Sequence, residues 1–499
     1  MNDATAAAPT EPPEDDRQVS FAIRVAYGIG SIADGAKNAA FNAFLVLYYT
    51  TVLGLPGTLS GLAIFLALCV DAITDPLVGS ISDHFRSRWG RRHPFMYFAA
   101  VPMGLCFYAL FAPPDGLSEG QLFAWLATFA IGVRLFLTFY MVPSGALGPE
   151  MTTHYDERTR LVAYRWLIGW CGALAVAGSG WLVFFADREV VGDGRLDAAN
   201  FPQLGLFTGV LVTSAILVSS WGTHGVIPKL RQPEPDGPVF SFGGFARDAM
   251  AALRNHSLRM LLGSSIFSAS ALGMAEVLGT YMNTWFWEFP SSNLGALAVF
   301  QIFPLLVGFA MVGPVSRRWD KRKAAIGLAL FAILWGPLPV LLRFAGLAPE
   351  NGSPWLLPFI MAHGLFLIAA AIQIGILNSS MVMDATDEHE YESGKRREGT
   401  FIAVTAFTGK AVSGFGNFLG GVLLDAIDFP QGSVEAAVGA VPDATIAKLG
   451  WIAGPGLVVF YLCSLLFITR MRLDRGRYAE ISRTLRQRRS RTPRGQGVP

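Results

Sequence analysis

Long apolar runs recur along the chain, separated by short polar connections. An α-helix needs about 20 apolar residues to cross roughly 30 Å of hydrocarbon. Twelve runs reach that length and predict spans at residues 25–50, 58–81, 94–113, 121–144, 161–185, 204–226, 258–284, 294–315, 324–345, 354–381, 400–424 and 449–470. Runs this long do not alternate as barrel strands do, and only helices and closed barrels satisfy the backbone in lipid. The pattern predicts an all-α membrane protein with 12 transmembrane helices.

Composition agrees with a bilayer as the solvent. Hydrophobic residues make up 52% of the chain, charged residues only 15%, and the mean hydropathy is +0.42. Soluble domains are closer to a quarter charged, so soluble enzymes, nucleic-acid binders and disulfide scaffolds are disfavoured. The four cysteines lie inside apolar runs without paired spacing, which indicates small core residues rather than disulfides or metal ligands.

Basic residues predict the orientation. The connections after spans 2, 4, 6, 8 and 10 carry 19 lysines and arginines, whereas the others carry at most four, namely Arg188, Arg195, Arg343 and Lys448. Cytoplasmic loops are rich in Lys and Arg, so both termini are predicted to face the cytoplasm. Ten arginines between Arg470 and Arg494 would contact the anionic inner leaflet.

The longest basic connection divides the spans into two groups of six. The predicted organisation is a disordered cytoplasmic tail at 1–20, a six-helix bundle at 21–226, a central cytoplasmic loop at 227–257, a second six-helix bundle at 258–471 and a basic cytoplasmic tail at 472–499. Similar Gly–Ser–basic segments follow Gly79 and Gly313, at corresponding places in the two groups. Tandem six-helix halves would produce this similarity, and so would any two arginine-rich loops.

Eight ionisable residues fall inside the predicted spans: Lys37, Arg134, Arg165, Lys410, Asp34, Asp71, Asp75 and Glu276. An ionisable residue at the centre of a span costs roughly 2.5–3.5 kcal/mol, so each needs a partner or a water-filled cavity. Lys37 and Asp34 are three residues apart and can pair with each other. The basic excess near the midplane, once Asp71 and Asp75 are set aside, favours a solute with an anionic group.

Asp71 and Asp75 lie four residues apart, on one face of span 2. At about 6 Å and an effective dielectric constant of about 20, two carboxylates repel by roughly 2.8 kcal/mol. A proton on one of them or a bound Na⁺ would relieve the repulsion. A salt bridge to an arginine of a neighbouring helix is the structural alternative.

Four segments carry a family resemblance: YGIG at 27–30, DAITDPLVG at 71–79, SRWGRR at 87–92 and GKRREG at 394–399. They resemble the glycoside–pentoside–hexuronide:cation symporters of the major facilitator superfamily, which include the melibiose permease and the sodium-dependent lysophosphatidylcholine symporter. The likeness runs from about residue 22 to residue 471. It implies the major facilitator fold and transport by alternating access.

The resemblance also implies roles for individual residues. The coupling cation would bind at Asp71, Thr74, Asp75 and Thr138, while Arg165 and Lys410 would line the solute cavity. Lys37, Arg134, Asp34 and Glu276 are further candidates for the solute site. The cytoplasmic gate would consist of acids that pair with basic residues of the other half: Arg88, Arg91, Arg92, Asp156, Glu157, Arg317, Arg318, Asp384, Asp387 and Glu388.

Three positions depart from the sugar site of the melibiose permease. The two sugar-binding aspartates align with Gly35 and Met141, and a cavity tryptophan aligns with Gly375. A sugar hydroxyl needs a hydrogen-bond partner when it is buried, so these losses argue against galactoside recognition. Asp34 would restore one carboxylate only if the alignment shifted by one residue.

These features together predict a Na⁺- or H⁺-coupled symporter for a small solute of the glycoside or hexuronide class. An amphiphilic or anionic substrate such as a lysophospholipid is the alternative, and a non-transporting receptor or scaffold is a rival of another class. The sequence carries no nucleophile, metal-cluster or phosphate-loop motif, so we expect no enzymatic activity and no cofactor beyond the coupling ion. Because Arg outnumbers Lys 32 to 7, we expect a bacterial inner-membrane protein, and we expect a monomer that meets only its solute and the lipid bilayer.

Overall fold

The structure is a computed structural model. It describes residues 19–152, 155–186, 194–230, 253–393, 398–432 and 436–491, and a few isolated positions between 241 and 250. Some side chains within these ranges are not described, among them those of Asp156, Arg317 and Arg318. All regular structure in the described part of the chain is helical, without strands, which confirms the all-α prediction. The predicted disordered tail falls on residues outside the described ranges, up to residue 18.

The helices of the first half are α1 to α6. They run over Phe21–Val52 (α1, in four short segments), Gly57–His84 (α2), His93–Phe111 (α3), Glu119–Met151 (α4), Tyr155–Phe184 (α5) and Asn200–Gly222 (α6). A short 3₁₀ segment follows at His224–Lys229. The two halves are named below the first half and the second half.

The helices of the second half are α7 to α12. They run over His256–Phe286 (α7), Ser291–Arg318 (α8, interrupted at Gln301), Lys321–Phe344 (α9, interrupted at 336–337), Leu356–Ser393 (α10), Glu398–Ala426 (α11) and Asp443–Arg470 (α12). A further helix, α13, covers Arg475–Arg491. In the described residues, ten of these helices are long and apolar enough to cross a membrane. The segmented α1 and helix α11 lie where the sequence predicts the two remaining spans.

Side-chain caps fix several helix starts. Ser118 and Gln121 form a capping box at the start of α4, Asn255 accepts from the backbone of Leu258 at α7, and Asp320 accepts from the first backbone N–H groups of α9. Such caps satisfy donors that a helix cannot satisfy itself. Helix α2 differs, because its N-cap residue is Pro56 and no side chain of its own segment caps it.

Glycines let the helices around the centre approach closely. A Cβ on Gly35 of α1 would lie 1.9 Å from the carbonyl oxygen of Gly169 on α5, and a Cβ on Gly104 of α3 would lie 2.8 Å from that of Gly209 on α6. Small residues at helix contacts are typical of membrane bundles, where close packing replaces the hydrophobic effect. The halves meet chiefly where α2 packs against α11, and this contact positions the ionisable residues described next.

Candidate cation and solute site

Asp71 and Asp75 face α4 from consecutive turns of α2. The Thr138 hydroxyl on α4 lies 2.8 Å from Asp71 Oδ1 and 2.9 Å from Asp75 Oδ1. Arg134, one turn earlier on α4, places Nη1 3.4 Å from Asp71 Oδ2. Asp71 and Arg134 are buried, whereas the Asp75 side chain is 29% exposed. The predicted cation site therefore exists as a cluster, and Asp71 also has the arginine partner that the structural alternative anticipates.

Lys410 completes this cluster from the other half. Its ammonium group, carried by α11, lies 3.1 Å from Asp71 Oδ2 and also pairs with Asp75 Oδ2. The sequence places Lys410 in the solute cavity, but here its charge occupies the space between the two carboxylates. With Arg134, it balances both negative charges. Lys410 is also 40% exposed, so water reaches this side of the cluster.

Thr74 does not touch the carboxylate oxygens of this cluster. Its hydroxyl donates to the main-chain carbonyl of Asp71 at 3.2 Å, within the same helix. Of the four residues predicted for the cation site, Asp71, Asp75 and Thr138 are in mutual contact, and Thr74 lies beside them.

The other ionisable residues do not form one positive cluster, as the sequence suggested. Lys37 pairs with Asp34 of its own helix at 3.6 Å and donates to Asn38, which in turn donates to Asp34. Glu276 on α7 makes no hydrogen bond or close ion pair with the described residues, and the charges of Lys37 and Arg134 act on it. Three of the four basic residues therefore lie beside carboxylates.

Arg165 is the exception. Its guanidinium donates to Tyr27 Oη at 3.1 Å, to Ser31 Oγ at 3.4 Å and to Met141 Sδ at 3.7 Å, and it lies over the Tyr27 ring at 5.3 Å from the centroid. All of these described partners are uncharged. Among the basic residues of the site, Arg165 is thus the one whose charge is not neutralised by a described carboxylate.

The two glycine departures have different structural causes. No side chain fits at Gly35, because the backbone of α5 lies against it. At Gly375 on α10, by contrast, a Cβ would meet nothing within 4 Å. The lost aspartate of α1 is therefore tied to tight packing of α1 on α5, whereas the lost tryptophan leaves open space.

We expect Gly35→Ala to destabilise the protein, because overpacking a tight contact costs about 1–3 kcal/mol and the added carbon would lie 1.9 Å from a backbone oxygen. The melting temperature of the purified protein measures this. Gly375→Ala is the matched control and should melt as the parent does. Equal melting temperatures for both variants would contradict the tight α1–α5 contact.

The predicted gate residues form pairs within each half at the basic end, meaning the end that carries the arginine-rich connections. In the first half, Arg91 and Arg92 bind Glu150 at 2.7 and 3.0 Å, and Glu157 binds Arg24 at 3.1 Å. Arg88 is exposed and lies over the Trp89 ring. The predicted pairing across the halves is therefore absent for these described residues in this structure.

The second half shows the same arrangement. Asp384 accepts from Lys321 at 2.6 Å, Asp387 accepts from Tyr478 of α13 at 3.1 Å, and Glu388 accepts from Asn255 at 3.3 Å. The predicted partners Arg317 and Arg318, like Asp156, lie outside the described side chains. Pairs confined to one half leave the two halves untied at this end, as expected of a transporter open toward it.

Comparison with known proteins assigns the family. Residues 26–475 match the family described as MFS/sugar transport protein. The chain belongs to this family. Its members are membrane transporters rather than enzymes, and the predicted family and major facilitator fold are thereby confirmed.

Relatives support the assignment. The chain is 26% identical to the inner membrane symporter YicJ of Escherichia coli over 86% of each chain. It is 23% identical to a putative sulfoquinovose importer of Salmonella typhimurium over 94% of each chain. The inward-open structure of the E. coli xylose transporter XylE superposes with a TM-score of 0.60 at 14% identity, over 93% of this chain and 99% of that one. The chain is a multi-pass transporter of the inner membrane.

Proposed function

We propose that the chain is a cation-coupled symporter in which the coupling ion displaces Lys410 from Asp71 and Asp75. The observation that carries this proposal is the Lys410 ammonium between the two carboxylates, one half supplying the lysine and the other the acids. Na⁺ or H⁺ would take over the neutralisation of the pair. The freed Lys410 charge then becomes available to the solute.

Hydrogen-bond counting at Thr138 supports a cation at this pair. The hydroxyl has one proton and can donate to only one carboxylate at a time, yet it lies within 2.9 Å of both. Its second contact is favourable only when a proton or a metal ion lies between the two oxygens. Carboxylate and hydroxyl oxygens are also hard ligands, which suits an alkali cation.

The solute we propose is a small glycoside-like molecule that carries an anionic group, held by Arg165. A guanidinium binds carboxylates, sulfonates and phosphates with paired N–H donors, and Arg165 is the basic group of the site without a described carboxylate partner. A relative with a printed sulfonated-sugar substrate, the putative sulfoquinovose importer, supports an anionic solute. Linkage makes the coupling reciprocal, because a cation that frees Lys410 for the solute must itself bind more tightly when solute is present.

Lys410→Gln tests this role of the lysine without any solute. In the parent, the ammonium neutralises the pair, so the melting temperature should depend little on Na⁺ or mild acid. In the variant, two carboxylates about 6 Å apart repel by roughly 2.8 kcal/mol, and the melting temperature should rise with Na⁺ or as the pH falls, because either cation relieves the repulsion.

Lys448→Gln is the matched control, since Lys448 lies 4.0 Å from the exposed Asp428, outside the cluster. It should behave as the parent does. A Lys410→Gln protein indifferent to both Na⁺ and pH would refute the proposed cation site. A response to pH alone would identify H⁺ as the coupling ion.

A further inference from the structure

Helix α2 lacks a capping side chain in its own segment. Its N-cap position is Pro56, which has no polar side chain, and the next residue is Gly57. The first N–H groups of a helix have no partner within the helix and need an acceptor. This helix carries Asp71 and Asp75, so whatever fixes its start also fixes the candidate cation site.

The acceptor comes from the other half. Asp425, at the end of α11, accepts from Gly57 N through Oδ1 at 2.8 Å and from Thr58 N through Oδ2 at 2.7 Å. Gln431 also donates to Oδ1 at 3.3 Å. A carboxylate at a helix N-terminus is favoured by both the free N–H groups and the helix dipole. Asp425 is therefore a helix cap supplied by one half to the other.

Close backbone packing makes this contact possible. A Cβ on Gly57 would lie 2.6 Å from the carbonyl oxygen of Gly421, and a Cβ on Gly421 would lie 2.0 Å from that of Gly57. Side chains at either position would hold the two helices apart. The absence of side chains brings the Asp425 carboxylate within reach of the α2 backbone.

Other contacts between the halves lie at the same end, opposite the basic end. Thr51 at the end of α1 hydrogen-bonds Tyr281 of α7 at 3.0 Å. Arg195, before α6, donates to the carbonyl of Phe289, before α8, at 2.8 Å. The described ion pairs at the basic end lie within single halves instead. The two ends therefore differ, and the end opposite the basic one is closed.

We propose that Asp425 is the latch of this closed end: its carboxylate caps α2 across the two halves and must leave before the solute path opens there. Water can satisfy both partners once they separate, so the latch is reversible. Release frees the start of the helix that holds the candidate cation site. The proposal rests on transport by alternating access, the proposed function, and assigns one residue to the step that opens this end.

Thiol accessibility tests the latch without solute or coupling ion. Thr51→Cys, in a variant without the four native cysteines, places a fully buried thiol between the halves. A water-soluble maleimide then labels the purified full chain in nanodiscs only when the closed end opens. We expect Asp425→Ala to raise the labelling rate about 2- to 30-fold, the factor that corresponds to loss of a helix cap.

Matched variants isolate the contact. Asp425→Asn keeps an acceptor and should give a smaller increase, whereas Asp443→Ala removes an exposed carboxylate from another helix start of the second half and should leave the rate unchanged. Thr58→Pro deletes one of the two donors at a position where a helix tolerates proline. Thr58→Ala keeps that donor and is its control.

The outcomes separate the latch from the transport proposal. Faster labelling in Asp425→Ala and Thr58→Pro supports the latch even if no uptake is found. Labelling at the parental rate in both variants would overturn it, whatever the uptake shows. If Asp425→Ala does not fold, the comparison of Thr58→Pro with Thr58→Ala decides alone.

Discussion

Asp75→Asn should abolish cation-driven accumulation of solute, although the protein folds and still binds solute. The amide keeps a hydrogen-bond acceptor for Thr138, which contacts Asp75 Oδ1 at 2.9 Å, but it carries no charge for a cation or for Lys410. At 4 Å and an effective dielectric constant of about 20, one charge pair is worth about 4 kcal/mol. That corresponds to roughly a thousandfold loss of cation affinity. Solute uptake into proteoliposomes with an imposed Na⁺ or H⁺ gradient measures the effect.

Two comparisons sharpen this prediction. Thr74→Val should leave coupling intact, because the Thr74 hydroxyl contacts only a main-chain carbonyl of α2 in the described structure. Asp71→Asn should lose coupling and also stability, because it removes the carboxylate partner of buried Arg134. Breaking a buried pair in this way costs about 3–5 kcal/mol. Cation-dependent accumulation by Asp75→Asn at the parental level would exclude the assigned role.

Arg165→Gln should weaken binding of an anionic solute about 10- to 150-fold, because hydrogen bonds to charged groups contribute about 1.5–3 kcal/mol. The cation-dependent stability of the Lys410→Gln background should remain, since Arg165 contacts Tyr27, Ser31 and Met141 and not the two aspartates in the described structure. Solute titrations followed by melting temperature measure the loss.

Arg165→Lys provides the control for charge. A lysine keeps the positive charge but not the paired donors of a guanidinium, so its affinity for the anionic solute should fall between those of the parent and Arg165→Gln. Tyr27→Phe removes one hydrogen-bond acceptor of Arg165 and should lower affinity less than Arg165→Gln. Unchanged affinity in Arg165→Gln would show that the anionic group binds elsewhere.

The fold could be predicted from the sequence because lipid leaves few options for the backbone. Apolar runs of sufficient length must be helices, and the helices found lie where the runs are. The pairing of Asp71 with Asp75 was also predictable, because a spacing of four residues fixes one helix face. Both inferences depend only on positions within one span.

Contacts between spans were not predictable in this way. The register of α11 against α2 decides that Lys410 reaches Asp71 and that Asp425 reaches Gly57, and a single sequence does not contain that register. The sequence interpretation of Asp425 as a residue near a helix end with a local role missed its contact across the halves. The only sequence signal was indirect: Pro56 and Gly57 leave α2 without a cap of its own.

Charge balance failed for the same reason. Counting basic residues inside the spans suggested a positive cavity, but Lys37, Arg134 and Lys410 each lie beside a carboxylate. Which charges cancel depends on which helices face each other. Gly35 shows the same limit, because only the packing of α1 on α5 explains why no aspartate can stand there.

The most direct test of cation-coupled binding of an anionic solute is a melting-temperature screen of the purified chain. Neutral glycosides, hexuronates, sulfonated sugars and lysophospholipids would each be added in Na⁺ or choline, at neutral and mildly acidic pH. A solute at a hundred times its Kd should add about 2.7 kcal/mol of stability. We expect an anionic sugar to raise the melting temperature only when Na⁺ or acid is present. Stabilisation by a neutral glycoside alone, or by any solute equally in all four conditions, would contradict the proposed mechanism.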